Sequence, residues 1–215
     1  GWFIHNQDYY DKYDRSKSKV YLGEYAAHLP GRPNNLETAL AEALYMTALE
    51  RNGDVVHMTS YAPLLAKEGH TQWNPDLIYF NNEEAKPTVG YYVQQLYGQH
   101  AGDEYLASRV IVSENSDAVQ KRVAASVVRD SRTNDLIVKL VNLLPVPTQT
   151  NIVLNDVPAI EGTAELITLT GKPDDKQAKP ATGTVRISND FDVDLPAYSF
   201  TLIRIKQNNT NLTKK

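Results

Sequence analysis

The sequence predicts a mixed α and β fold, in which a βα segment is followed by an antiparallel β-sandwich. Up to about residue 104, short apolar runs alternate with helical patterns, an order typical of parallel strands joined by helices. From residue 105 onward, apolar residues recur at every second position, as in strands with one face in a core and the other in water. We therefore expect two parts, residues 1–104 and residues 105–207, followed by a polar, disordered tail over residues 208–215.

The first strand and the first helix are predicted between residues 19 and 53. Residues 19–26, KVYLGEYA, form an apolar run with β-branched and aromatic side chains, which suits a buried parallel strand. After a loop rich in proline and glycine, Asn34 and Glu37 have capping-box spacing, and Asn52 with Gly53 supplies a stop. The apolar residues between these signals recur at steps of three and four and share one helix face: Leu36, Leu40, Ala43, Leu44 and Ala48.

A second strand and a second helix complete the first part. Residues 54–62, DVVHMTSYA, are predicted to form a buried strand, so the order strand, helix, strand indicates a parallel pair. Residues 63–84 form a long connection, and connections of this length in compact domains are usually functional. Residues 85–100 predict a helix with Pro87 near its start, where the missing N–H of proline costs little.

The second part consists of short strand candidates separated by Asn, Asp, Gly and Pro, a pattern that favours an antiparallel β-sandwich. The seven candidates are residues 106–113, 121–130, 134–144, 149–154, 162–170, 181–188 and 197–206. No further helix of useful length is predicted. Asn208 and Asn211 each match N-x-T, a pattern that arises readily by chance in a polar tail.

Composition restricts the partners and cofactors that we expect. A net charge of -4 gives no reason to expect nucleic acid or an anionic membrane, and no apolar run is long enough to predict a transmembrane helix. Cysteine is absent, and the five histidines lack metal-ligand spacing, so we expect no disulfide, no metal and no other cofactor. The first residues resemble neither a signal peptide nor a natural start, and we interpret Gly1 as a boundary inside a longer protein.

Glu24 is the main candidate for chemistry. It lies near the carboxyl end of an apolar strand, directly after Gly23. Burying a carboxylate there costs free energy unless the group is paired or takes part in catalysis. In parallel barrels the carboxyl ends of the strands carry the catalytic groups. A structural ion pair explains such a position equally well, so position alone leaves both interpretations open.

The residues around Glu24 resemble a known family. The stretch YDRSKSKVYLGEYAAH, followed by NNLETALAEALYMTALERNGDVVHMTSYAPLLAKEGHTQWNPDLIYFNN, is similar to the C-terminal part of α-L-arabinofuranosidases of glycoside hydrolase family 51. In that family a strand similar to V-F-V-G-E-Y-A contains the nucleophilic glutamate, and Glu24 matches it. The resemblance is strong over residues 9–82 and weak over the second part, where LPAYSFTLIRI carries most of it.

The resemblance implies that KVYLGEYA and DVVHMTSYA belong to the last two βα units of a (β/α)8 barrel, with the β-sandwich appended. It implies a retaining mechanism in which Glu24 attacks a terminal arabinofuranosyl unit of arabinan or arabinoxylan. Trp73 and Asn74 lie in the loop after the second strand, where the family builds part of its sugar pocket, and a structural role for Trp73 is an equally good interpretation. The expected partner is therefore an arabinose-containing polysaccharide or oligosaccharide, and a secreted or periplasmic location is favoured over the cytoplasm.

The second glutamate of the mechanism, the acid/base, has no match in this chain, so we expect the chain alone to be inactive. The alternative function is a non-catalytic β-sandwich module that stabilises the barrel or binds polysaccharide. Residues 105–206 contain no tryptophan and only two tyrosines, Tyr105 and Tyr198. A flat aromatic surface for binding polysaccharide is therefore poorly supplied, which favours stabilisation of the barrel. Two barrel strands without neighbours expose apolar edges, so we expect the first part either to pack onto the sandwich in a rearranged way or to self-associate as a homo-oligomer.

Overall fold

A computed structural model describes residues 1–207. The helices are α1 (Trp2–His5), α2 (Leu36–Arg51), α3 (Val89–Gln99) and α4 (Asp117–Gln120). The strands of the first part are β1 (Val20–Tyr25), β2 (Val56–Tyr61), β3 (Leu65–Lys67), β4 (Ile78–Phe80) and β5 (Ala85–Pro87). Those of the second part are β6 (Glu104–Leu106), β7 (Val123–Asp130), β8 (Asp135–Asn142), β9 (Thr148–Val153), β10 (Glu161–Thr170), β11 (Ala181–Ser188), β12 (Asp190–Leu195) and β13 (Ser199–Ile205).

Strands β1 and β2 form the predicted parallel pair, with α2 as the connection between them. Val20 pairs with Val56 and Tyr25 pairs with Tyr61, so both strands end at the same edge of the sheet. The pairing is irregular between Leu22 and Tyr25, which is the segment that carries Glu24. The prediction of a strand–helix–strand unit is therefore confirmed, with strand ends that differ from the prediction by one or two residues.

The second part is built on a six-stranded antiparallel sheet in the order β11-β10-β13-β8-β7-β6. Every residue of β8 is buried, because both faces of this central sheet are covered. On one face, β9 and β12 form a separate antiparallel pair, and their side chains join a core with Leu136, Val138 and Ile203. This arrangement of one sheet facing a smaller pair supports the antiparallel part of the prediction.

The other face of the six-stranded sheet is covered by the helices α2 and α3. Leu40 and Leu44 of α2 and Val93 of α3 are fully buried in one core with Val141 and Phe200 of the sheet. This core contains residues from both sides of position 104, so the helices and the six-stranded sheet pack as neighbouring layers. The division of the chain into residues 1–104 and 105–207 remains a prediction.

The amino end of α2 corrects one prediction. The helix is capped by Asn35, whose side chain accepts from Thr38 N–H at 3.0 Å, while Thr38 Oγ1 accepts from Asn35 N–H at 3.2 Å. Asn34 instead donates its side-chain amide to Asp76 O at 3.0 Å. The predicted pairing of Asn34 with Glu37 is therefore wrong by one position, because a tertiary contact occupies Asn34.

Three strand assignments differ from the prediction. Residues 85–87 form β5 at the edge of the small sheet β3-β4-β5, where Pro87 needs no ladder hydrogen bond, so α3 begins only after Thr88. The candidate over residues 106–113 is not a strand beyond Leu106, because β6 pairs with β7 only over three residues. Strand β12 was not predicted, since its three aspartates resemble a turn, although DFDVDL alternates exposed and buried positions.

The predicted tail, with Asn208 and Asn211, lies outside the described residues. Within residues 1–207, none of the helices has the length and apolar character needed to span a bilayer.

Candidate active site

Glu24 lies one residue before the end of β1 and is exposed, whereas its neighbour Tyr25 is buried. The prediction that this carboxylate is buried is therefore wrong for the described chain. The reason is that β1 pairs only with β2 in residues 1–207, so no further strand covers the segment that carries Glu24. Glu24 is thus available to a molecule that approaches the carboxyl ends of both strands.

Glu24 and Trp73 line the same concavity, which has a volume of about 710 Å³. His28, from the loop after β1, also lines it. The opposite wall is aromatic and comes from the amino-terminal segment, where Phe3 stacks on Tyr45 at 4.3 Å between ring centroids. The structure therefore brings together two of the three predicted site residues and adds aromatic side chains that the sequence did not single out.

Trp73 is held at the rim of this concavity by the loop that carries Arg32. The Arg32 guanidinium carbon lies 4.1 Å from the centroid of the Trp73 ring, a cation–π arrangement. The His28 ring lies 6.2 Å from the same ring, and partial burial, then the Arg32 charge, lowers the pKa of His28. Trp73 remains 45% exposed, so much of its ring is free for contact with a ligand.

Asn74 contacts Arg32, and its predicted contact with the sugar stays a prediction. Its side-chain amide donates to Arg32 O at 3.3 Å, and its own carbonyl accepts from the Arg32 guanidinium at 3.4 Å. Asn74 is not part of the lining of the concavity that contains Glu24. It joins two loops and in this way supports Trp73.

A buried polar cluster lies behind Glu24, between β1, β2, α2 and α3. Glu42 of α2 accepts the Ala27 N–H at 2.9 Å, and the Tyr25 hydroxyl donates to Gln94 Oε1 at 2.5 Å. Burial raises the pKa of Glu42 to about 7, although the hydrogen bond from Ala27 and the nearby Tyr61 and Gln94 side chains oppose this effect. Within the described residues, Glu42 Oε2 and Gln94 Nε2 have no hydrogen-bond partner.

Glu42 was not singled out as a site residue from the sequence. The available signal was a carboxylate inside the apolar run TALAEALYM, where a solvated glutamate is not expected. The structure contains a second concavity, of about 870 Å³, between the end of α2, β2 and α3, which contains none of the predicted site residues. Residues 1–207 contain no cluster of three or more His, Asp or Glu side chains able to hold a metal ion.

Comparison with solved structures identifies the fold. An arabinose-bound α-L-arabinofuranosidase, MgGH51, aligns with a TM-score of 0.85 and 28% identity, covering 96% of this chain and 35% of that one. The α-L-arabinofuranosidase from Thermotoga maritima, solved as an arabinose complex, aligns with a TM-score of 0.74 over 95% of this chain and 47% of that one. Its 15% identity supports the fold alone. The fold is thus one found in a glycoside hydrolase.

Curated relatives, like the two solved structures, are named as α-L-arabinofuranosidases. An extracellular exo-α-L-arabinofuranosidase from Streptomyces chartreusis is 48% identical over 108 residues, which is 50% of this chain and 13% of the relative. α-L-Arabinofuranosidase 1 from Arabidopsis thaliana is 36% identical over 102 residues, which is 46% of this chain and 15% of the relative. The matched segment therefore spans about one seventh of the length of these relatives.

The family model for the α-L-arabinofuranosidase C-terminal domain matches residues 9–200, which is most of the chain. The chain belongs to this family, within glycoside hydrolase family 51.

Proposed function

We propose that this chain is the C-terminal part of a retaining α-L-arabinofuranosidase, in which Glu24 is the nucleophile. The observation that supports the proposal most directly is the position of Glu24. It lies at the carboxyl end of a parallel strand pair and opens into a concavity of about 710 Å³ with Trp73 at its rim. The substrate class that we propose is arabinan or arabinoxylan with terminal arabinofuranosyl units.

The mechanism assigns Glu24 the first bond-forming step. Its carboxylate attacks the anomeric carbon and displaces the leaving-group oxygen, which a second carboxylic acid protonates. Water then hydrolyses the glycosyl-enzyme, with the second residue acting as base, so the configuration is retained. The two carboxyl groups of a retaining enzyme lie about 5 Å apart. We propose that the second glutamate lies in the remainder of the enzyme, and that β1 and β2 are the last two strands of its (β/α)8 barrel.

Trp73 and Asn74 are proposed to contribute to sugar binding in unequal ways. The exposed ring of Trp73 offers an apolar face to the pyranose or furanose rings of a polysaccharide. Asn74 acts through Arg32, which lies over that ring. A secreted or periplasmic location fits this substrate and is consistent with the Streptomyces chartreusis relative, which is named as extracellular.

A structural role for the second part is favoured by its packing against the helices. The Tyr97 ring of α3 stacks on Phe200 of β13 at 5.1 Å, and the Tyr97 hydroxyl donates to Ala43 O at 2.9 Å. Such contacts tie the sheet to the helices that flank β1 and β2. We propose that the β-sandwich stabilises the catalytic part, as the module considered as the alternative function, rather than binding polysaccharide itself.

The test is a substitution of Glu24 in the whole enzyme that contains this chain. Glu24→Ala should lower kcat on a nitrophenyl arabinofuranoside by about 10⁴-fold or more, because the covalent step is lost. Added azide should restore turnover by occupying the space of the carboxylate and should give the arabinosyl azide of inverted configuration. The isolated 215-residue chain should release no nitrophenol.

The matched control is Glu83→Ala, an exposed glutamate in the turn before β5. It should leave kcat unchanged. Retained activity in Glu24→Ala, or an azide product of retained configuration, would contradict the assignment of Glu24 as nucleophile.

A further inference from the structure

Glu42 is a carboxyl group that the proposed reaction does not use, although it binds the chain just after the strand that carries the nucleophile. It is 2% exposed and projects from α2 toward the carboxyl end of β1. Its Oε1 accepts the N–H of Ala27, the third residue after Glu24. Because β1 ends at Tyr25, this N–H lies beyond the strand ladder, and Glu42 supplies its acceptor.

A second contact fixes the residue next to the nucleophile. Tyr25 is 7% exposed, and its hydroxyl donates to Gln94 of α3 at 2.5 Å. Its carbonyl accepts the N–H of Ala62, the residue after β2, at 3.4 Å. The chain that leaves β1 is thus tied to both helices and to the neighbouring strand within three residues of Glu24.

The surroundings of Glu42 do not explain it as an ion pair. The side chains that face it are Tyr25 from β1, Tyr61 from β2 and Gln94 from α3, all uncharged at neutral pH. Its Oε2 lies against the start of α3, where a Cβ on Gly90 would come within 3.2 Å of it. An apolar side chain would fill this site without the cost of desolvating a carboxyl group, so the hydrogen bond from Ala27 is the contact that favours an acceptor at this position.

We propose that Glu42 is a positioning residue, which holds the carboxyl end of β1 through Ala27 and thereby fixes the direction of the Glu24 carboxylate. This inference rests on the proposed function of Glu24 as nucleophile. Within residues 1–207 Glu24 is exposed and lies in an irregular segment, so its side chain is not locked by packing in this part of the enzyme. Attack on an anomeric carbon tolerates only small displacements of the nucleophile, and the buried anchor three residues away supplies the rigidity.

The experiment compares two substitutions of Glu42 in the whole enzyme. Glu42→Met removes the acceptor and should lower kcat by about 10- to 100-fold with little change in KM, because the nucleophile is misplaced but the sugar still binds. Glu42→Gln keeps an oxygen that can accept from Ala27 and should retain kcat within about threefold. Rates are expressed per active site, counted by complete labelling with a mechanism-based arabinofuranosyl inhibitor, so misfolded enzyme does not contribute.

The matched control is Glu37→Met on the same helix, because Glu37 lies in the first turn and is only half-buried. It should leave kcat per active site unchanged. A second measurement follows hydrogen exchange of the Ala27 amide in the 215-residue chain. Exchange should be faster in Glu42→Met than in the wild type and unchanged in Glu42→Gln.

Three outcomes would overturn the proposal. Wild-type kcat per active site in Glu42→Met, while Glu24→Ala is inactive, would leave Glu24 as nucleophile and remove the positioning role. Unchanged exchange at Ala27 in Glu42→Met would show that Glu42 does not hold the strand end. Retained activity in Glu24→Ala would overturn the proposed function and this inference together.

Discussion

The buried carboxyl group of Glu42 makes the folding stability of the chain depend on pH. Its pKa is raised from 4.5 to about 7, chiefly by burial. The folded chain therefore holds this proton more tightly than the unfolded chain does. The contribution of Glu42 to the free energy of unfolding should be largest below pH 4.5, should fall as the pH rises toward about 7, and should then level off. The difference between the two pKa values corresponds to about 3 kcal/mol.

The measurement is urea unfolding of the 215-residue chain and of Glu42→Gln at about pH 5 and about pH 8. Glutamine does not ionise, so this variant should lose less stability than the wild type between the two conditions, by about 3 kcal/mol at most. Glu37→Gln, on the same helix but only half-buried, is the control and should follow the wild type. Parallel pH profiles for wild type and Glu42→Gln would show that Glu42 is not buried as described.

The sequence predicted part of the candidate site at the level of single residues. Glu24 and Trp73 could be proposed from the sequence because both lie in a segment that matches a family pattern. The structure places both of them in the lining of one concavity. The exposure of Glu24 could not be predicted, because it depends on which neighbours β1 has. The contacts of Asn74 and Glu42 could not be predicted either, since they join residues more than ten positions apart.

At the level of elements, the amino end of α2 allows the observed helix cap to be compared with the predicted one. Asn35 and Thr38 cap each other, whereas the sequence favoured Asn34 and Glu37. Asn35→Ala should therefore destabilise the chain by about 1 kcal/mol, because the Thr38 N–H loses its acceptor in a buried setting. The change is measured as a lower urea midpoint with an unchanged slope.

Asn35→Ser is the control for this prediction, because serine also caps helices and should recover most of the loss. Equal destabilisation by Asn35→Ala and Asn35→Ser would argue that the capping hydrogen bond contributes little.

The elements that were predicted well are those whose pattern reflects burial alone. The helix α2 and the strands β10, β11 and β13 follow from apolar periodicity, and their ends agree within two residues. The errors occur where a strand carries polar residues on its exposed face. Strand β12 places three aspartates on its exposed face, where Asn151 of β9 donates to Asp190 and Asp192. An acidic strand of this kind is stabilised by its cross-strand partner, which a local pattern does not reveal.

At the level of the whole molecule, the sequence indicated two successive parts, while the structure shows that they share a core. Period-two patterns predicted strands with one face in water, yet β8 is buried on both faces between the helices and the β9–β12 pair. Layer contacts of this kind depend on residues far apart in sequence, so they could not be derived from periodicity. The predicted self-association of the first part stays open, since Tyr21 and Met58 of the β1–β2 pair are exposed.

The layers are joined by a buried ion pair that should control their stability together. Lys139 of β8 is fully buried, pairs with Glu50 at the end of α2, and donates to His100 O at 2.6 Å. Its ammonium also lies 5.0 Å from the Tyr97 ring centroid. Burial raises the pKa of Glu50 and lowers that of Lys139, and the opposite charge of each partner opposes both changes. Neither group can therefore be removed without leaving the other charge poorly solvated.

Lys139→Met should lower the free energy of unfolding by about 3–5 kcal/mol, because Glu50 is left buried without its partner. Lys139→Met combined with Glu50→Gln should recover much of that loss, since no uncompensated charge remains. The measurement is a double-mutant cycle, in which the free energy of unfolding in urea is compared among the wild type, the two single variants and the double variant. A double variant that is destabilised by the sum of the single changes would show that the pair does not couple the helix layer to the sheet, and that the loss arises from packing of the Lys139 stem instead.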